Sequence, residues 1–95
     1  MLGPWIVTPD ELGDPEVLDF WLRVNGEMRQ ESNTGLMLVK LRRQIAWASS
    51  VYTIYPGDIL MTGTCQGVGP VKPGDEMKAW IQGIGEMDVR LNDYV

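Results

Sequence analysis

From residue 77 to residue 91 side chains alternate in character almost without a break. Met77, Ala79 and Ile81 alternate with Lys78, Trp80 and Gln82, and Met87, Val89 and Leu91 with Glu86, Asp88 and Arg90. A period of two is that of a strand, and Gly83-Ile84-Gly85 supplies the turn between the two runs, so this segment is a hairpin with one apolar face. A lone two-stranded hairpin is marginal in water, so the rest of the chain has to supply more sheet or a helix to cover that face. Phe20, Leu22 and Val24 alternate with Trp21 and Arg23 and run into Asn25-Gly26, the dipeptide best suited to a type I′ turn. A second hairpin is therefore expected over residues 19–30.

Leu38, Leu41, Ile45, Ala48 and Tyr52 recur at spacings of three and four, with Lys40, Arg42, Arg43 and Gln44 between them. That pattern predicts one amphipathic helix from Val39 to Val51. Thr8-Pro9-Asp10-Glu11 has an N-cap hydroxyl, Pro at the first helical position and Glu three residues on, which predicts a short helical turn broken by Asp14-Pro15. Pro56-Gly57-Asp58 and Pro73-Gly74-Asp75 each fit a type II turn leading into an apolar stretch, the first of them Ile59-Leu60-Met61, read as a strand. Four to six strands and one substantial helix in 95 residues make a single α+β, mainly β domain.

Thirteen acidic residues against eight basic ones give a net charge of −5, which opposes binding to nucleic acid or anionic lipid while leaving room for a local anion site. There is no histidine, which removes Ser-His-Asp and Cys-His nucleophile activation and histidine-bearing zinc sites from this chain's own repertoire. Cys65 is the single cysteine and has no partner for an intrachain disulfide; with no long apolar run or leader pattern, a cytoplasmic location is expected.

The segment richest in potential chemistry is Thr62-Gly63-Thr64-Cys65-Gln66-Gly67-Val68-Gly69. Its glycines allow close backbone approach, and its hydroxyls and N–H groups can hold a carboxylate or carbonyl oxygen. The same spacing also fits a plain Gly-rich connection at a strand end, and it matches neither a Walker A sequence nor GxGxxG. Asp10, Glu11, Asp14 and Glu16 lie close enough in sequence for a hard metal bound through oxygen, but flanking a helix start and a proline turn they read first as solvated capping acids. Asp58 and Asp75 read as acids bonding their own turns. Cys65 reads as a passive thiol, since the nearest cation in sequence is Lys72, and Trp5, Trp21, Trp47 and Trp80 as core or interface filling. Arg42 and Arg43 read as a solvated helix face.

Taken in order, Gly3-Pro4-Trp5-Ile6-Val7-Thr8 with Asp10-Glu11-Leu12, Val24-Asn25-Gly26-Glu27, Gln30, Asn33-Thr34, Pro56-Gly57-Asp58, Thr62-Gly63-Thr64, Gly67-Val68-Gly69 and Lys72-Pro73-Gly74-Asp75 resemble the fumarylacetoacetate hydrolase family. The resemblance covers essentially the whole chain, 1–95, and only the C-terminal half of that family's catalytic domain; the N-terminal half is absent from it. It implies part of a mixed β-roll, usually dimeric. It further implies hydrolases, isomerases or lyases acting on 2-oxo or β-diketo acids of acylpyruvate or hydroxyhepta-dienedioate type. In such enzymes Mg²⁺, or Mn²⁺ or Ca²⁺, holds the 2-oxo acid and stabilises the enolate.

On the same resemblance Thr64 contacts the substrate, Gly63 permits close approach and Thr62 supports the loop. No catalytic or metal-binding residue is expected here, because the family's Glu-x-Glu pair, separate Asp, catalytic Lys and lid Glu-His dyad all belong to the preceding half. Cys65 stands where the family often has proline, which implies a less rigid loop. The chain is thus expected to be inactive alone and to work as a homodimer or with a complementing N-terminal half. The alternative is a free-standing β module for dimerisation or protein binding without catalysis.

Overall fold

The computed structural model describes residues 2–92. A helical turn, α1 (Pro9–Leu12), is followed by a 3-10 turn at Pro15–Val17, strands β1 (Asp19–Val24) and β2 (Glu27–Asn33), a second 3-10 turn at Thr34–Leu36, helix α2 (Leu41–Val51), and strands β3 (Glu76–Ile81) and β4 (Gly85–Arg90). The four strands form one sheet in the order β2-β1-β3-β4, antiparallel at every pairing.

Both expected hairpins are present. Asn25 and Gly26 take φ of 51° and 82°, the pair of positive values that a type I′ turn requires. The first hairpin runs three residues beyond the expected end at residue 30. Asn33 pairs with Asp19, and its Nδ2 donates to Asp19 Oδ1 at 2.8 Å. The long crossover from β2 to β3 brings β3 alongside β1 with Trp21 opposite Trp80; their rings stack at 5.9 Å, and the Arg23 guanidinium lies 4.5 Å from the Trp21 ring.

Leu22, Ala79 and Met87 are aligned across the sheet, as are Val24, Met77 and Val89, and these two rows form its apolar face. Few side chains complete that core: among the described residues only Leu18, Val24 and Ala48 are buried hydrophobics. The α2 helix begins at Leu41 rather than Val39, with Lys40 as its N-cap. Glu16 Oε1 accepts from the Arg42 N–H at 3.1 Å, so an acid distant in sequence occupies one orphan amide of the helix start. Of the apolar stripe read for this helix, Ala48 is buried and Leu41 half-buried, whereas Leu38, Ile45 and Tyr52 face solvent.

Two local expectations are corrected. Ile59, Leu60 and Met61 form no strand, because no neighbour among the described residues offers them ladder hydrogen bonds, and all three are exposed. At α1 the Thr8 side chain does not accept from the helix; instead the Thr8 carbonyl takes the Glu11 and Leu12 N–H groups, and the hydroxyl lowers the Asp10 pKa by hydrogen bonding. The N-terminal segment is strapped to the sheet by Trp5, whose Nε1 donates to the Ile84 carbonyl at 2.8 Å.

Candidate functional site

The candidate site is the loop 62–69 together with the part of β2 against which it lies. Register between β1 and β2 slips after Leu22: Leu22 pairs with Gln30 and Arg23 with Met28, leaving Arg29 as the extra residue of a bulge. A bulge re-aims its residues away from the ladder, and here it turns Arg29 and Gln30 to the loop. The Arg29 carbonyl lies so close to Gly67 that a Cβ there would sit 2.2 Å from it, and φ at Gly67 is 104°; only glycine fits this crossing. Arg29 Nη1 donates to the Pro70 carbonyl at 3.2 Å.

Gln30 reaches the loop's centre. Its Nε2 donates to Thr64 Oγ1 at 2.8 Å and to the Cys65 carbonyl at 3.0 Å. Thr62 and Thr64 are exposed, and Cβ space at Gly63 is open, with φ at 86°. The loop therefore presents a held hydroxyl and an unobstructed backbone to solvent. Residues 62–71 carry no acid, and the cation that meets this segment is Arg29 rather than Lys72, so the surroundings favour an anion despite the acidic chain. Cys65 is half-buried.

The remaining candidates serve the fold. Asp14 Oδ1 caps its 3-10 turn by accepting from the Glu16 N–H at 3.0 Å. Asp58 Oδ2 accepts from Tyr55 N–H at 2.8 Å, and Asp75 Oδ2 from Lys72 N–H at 2.9 Å, each closing its own Pro-Gly turn. No group of three His, Cys, Asp or Glu side chains among the described residues is placed to hold a metal ion. Two surface hollows lie elsewhere, one beside Trp21 and Trp80, the other between Leu2, Pro4 and β4. In the sequence Gln30 is one mark of the family resemblance and Arg29 carries no mark; β2 holds Met28 as its one apolar residue, so there is no alternation for a bulge to interrupt and neither residue has a local signal.

The family model described as fumarylacetoacetate (FAA) hydrolase C-terminal matches residues 1–92. The chain belongs to the fumarylacetoacetate hydrolase family. It is 47% identical over 91 residues to a maleylpyruvate hydrolase of Aquipseudomonas alcaligenes, covering 96% of this chain and 32% of that protein. The crystal structure of maleylpyruvate hydrolase from Sphingobium sp. SYK-6 with manganese(II) and pyruvate superposes with a TM-score of 0.92 at 47% identity, covering 95% of this chain and 34% of that one. A 5-carboxymethyl-2-hydroxymuconate delta-isomerase from Mycobacterium smegmatis gives 0.87 at 41% identity, with coverage of 95% and 35%. The family thus spans hydrolases and isomerases on closely similar backbones, and this chain extends over about a third of their length. Among the described residues no helix is long and apolar enough to cross a membrane.

Proposed function

We propose that this chain is the substrate-side part of a metal-dependent hydrolase, isomerase or lyase acting on 2-oxo or β-diketo acids of acylpyruvate or hydroxyhepta-dienedioate type. Thr64 contacts the substrate through its hydroxyl or N–H, Gly63 allows the approach, and Thr62 supports the loop. The observation that carries this reading is the acid-free loop 62–69, pinned to β2 while the Thr64 hydroxyl stays exposed. Pyruvate bound with manganese in a relative of 47% identity supports the same ligand class.

The described residues do not fit a metal by themselves. The ion, Mg²⁺ or else Mn²⁺ or Ca²⁺, is bound by acids outside this chain, and the protons are moved by residues outside it as well. What this chain does is orient the acid: Thr64 holds an oxygen of the ligand while the glycine beside it keeps the approach clear. The working protein is a homodimer or a complex with a complementing N-terminal half, in the cytoplasm.

Surface area supports completion by more protein. The chain exposes 7723 Å², against about 5,500 Å² for a folded monomer of its mass. This favours a part of an enzyme over a free-standing β module. The test is turnover of maleylpyruvate and related acylpyruvates by the chain alone and by the chain assembled with the rest of a catalytic domain, with Mg²⁺ or Mn²⁺ and after chelation. Turnover is expected only from the metal-loaded assembly; turnover by the chain alone would refute its dependence on the rest of a catalytic domain.

A further inference from the structure

Among the described residues of β2, Gln30 hydrogen-bonds a side chain of the loop as well as its backbone, whereas Arg29 bonds backbone alone. Its amide orientation follows from chemistry. The Cys65 carbonyl can only accept, so the Gln30 nitrogen, not its oxygen, must face the loop, and Nε2 then spends one N–H on Cys65 and the other on Thr64 Oγ1. Thr64 Oγ1 is thereby an acceptor towards Gln30, and its own proton cannot point back along that bond. Among the described residues no protein acceptor takes that proton, and the residue is exposed beside the open Gly63.

We infer that Gln30 is a positioning residue that sets the polarity of the Thr64 hydroxyl, so that Thr64 offers the ligand a hydrogen-bond donor. This rests on the reading of loop 62–69 as the substrate side, and it narrows the ligand group at Thr64 to an acceptor-only oxygen, a carboxylate or a keto carbonyl. The bulge at Arg29 is what makes the arrangement possible. It brings Gln30 to the loop, while the contact of the Arg29 carbonyl with Gly67 and the bond to the Pro70 carbonyl fix the loop's distance from the strand.

The test is a double-mutant cycle in the assembled enzyme, read as KM and kcat for an acylpyruvate and as Kd for pyruvate. Gln30→Met keeps the side-chain length and removes the donor; it should raise KM and the pyruvate Kd about 10-fold while kcat changes little, a loss the size of one hydrogen bond. Thr64→Val should do the same, and the double variant should be no worse than Thr64→Val alone, because Gln30 acts through Thr64. Wild-type affinity in Gln30→Met, or losses that multiply in the double variant, would overturn the inference.

If the wild-type assembly neither turns over acylpyruvates nor binds pyruvate, the functional reading fails by itself. The action of Gln30 on Thr64 is then read from the Gln30 side-chain amide resonances of the same assembly. Thr64→Val should shift one of the two N–H protons and leave the one on the Cys65 carbonyl in place; two unmoved protons would refute the coupling.

Discussion

Asp75 shows how much one side chain can join. It is 7% exposed, its Oδ1 accepts from Asn25 Nδ2 at 2.9 Å and its Oδ2 from the Lys72 N–H, while Asn25 Oδ1 accepts from the Glu76 N–H. The turn between β1 and β2 is thus tied to the turn that opens β3. The Lys72 backbone N–H, followed by the Asn25 amide, lowers the Asp75 pKa below the ordinary value of 3.8. A carboxylate lowered in the folded state stabilises the fold above its unfolded pKa, and that contribution disappears as pH falls through the lower, folded value. Asp75→Asn should therefore lower Tm at pH 7, with the gap from wild type closing as pH falls below about 3.8; thermal melts of the assembled protein across pH 2 to 7 test this.

At the scale of elements, the junction of the bulged β2 with loop 62–69 depends on two glycines in different ways. Gly67 has positive φ and no room, whereas Gly63 has positive φ and open space. Gly67→Ala should push the loop off the Arg29 carbonyl and destabilise by about 2 kcal/mol or more, the range for a forced backbone with a clash. Gly63→Val, strained but unobstructed, should cost about 1–2 kcal/mol and, on the proposed placement of the ligand at this loop, lower kcat/KM in the assembled enzyme far more than its Tm shift explains. Melting curves and kinetics on both variants separate the cases; wild-type turnover in Gly63→Val would contradict the placement of the loop at the site.

For the molecule as a whole, the radius of gyration is 15.1 Å, against about 12 Å for a compact domain of this length. Trp47, Tyr52, Ile59 and Met61 are all more than half exposed, which places a wide apolar area on α2 and the segment after it. The excess surface over a folded monomer, about 2,200 Å² by the area scaling, is in the range of an obligate interface. The isolated chain should therefore bind a hydrophobic dye and aggregate, and the remainder of a catalytic domain should suppress both. A cooperative melt without dye response in the isolated chain would favour the free-standing module.

Local order decided much of this protein, and there the sequence was enough. Alternation at 77–91 and Asn25-Gly26 specified both hairpins, because a strand's period and a type I′ turn depend on neighbours in the chain. Asp58 and Asp75 bond three residues back for the same reason. The type of α2 was legible, but its exposed stripe was not, since amphipathic periodicity states which face wants cover and not whether cover exists. Ile59–Met61 read as a strand because apolarity was clear, yet a strand is made by its partner, and the described residues provide none.

The loop 62–69 was legible as a place where chemistry could sit, through its glycines and hydroxyls. That Gln30 holds Thr64 and that Gly67 has no room beside the Arg29 carbonyl are contacts between residues more than thirty positions apart. Only the crossing of the loop against β2 could decide them, because hydrogen-bond direction and steric exclusion exist only once two distant segments share the same few ångströms.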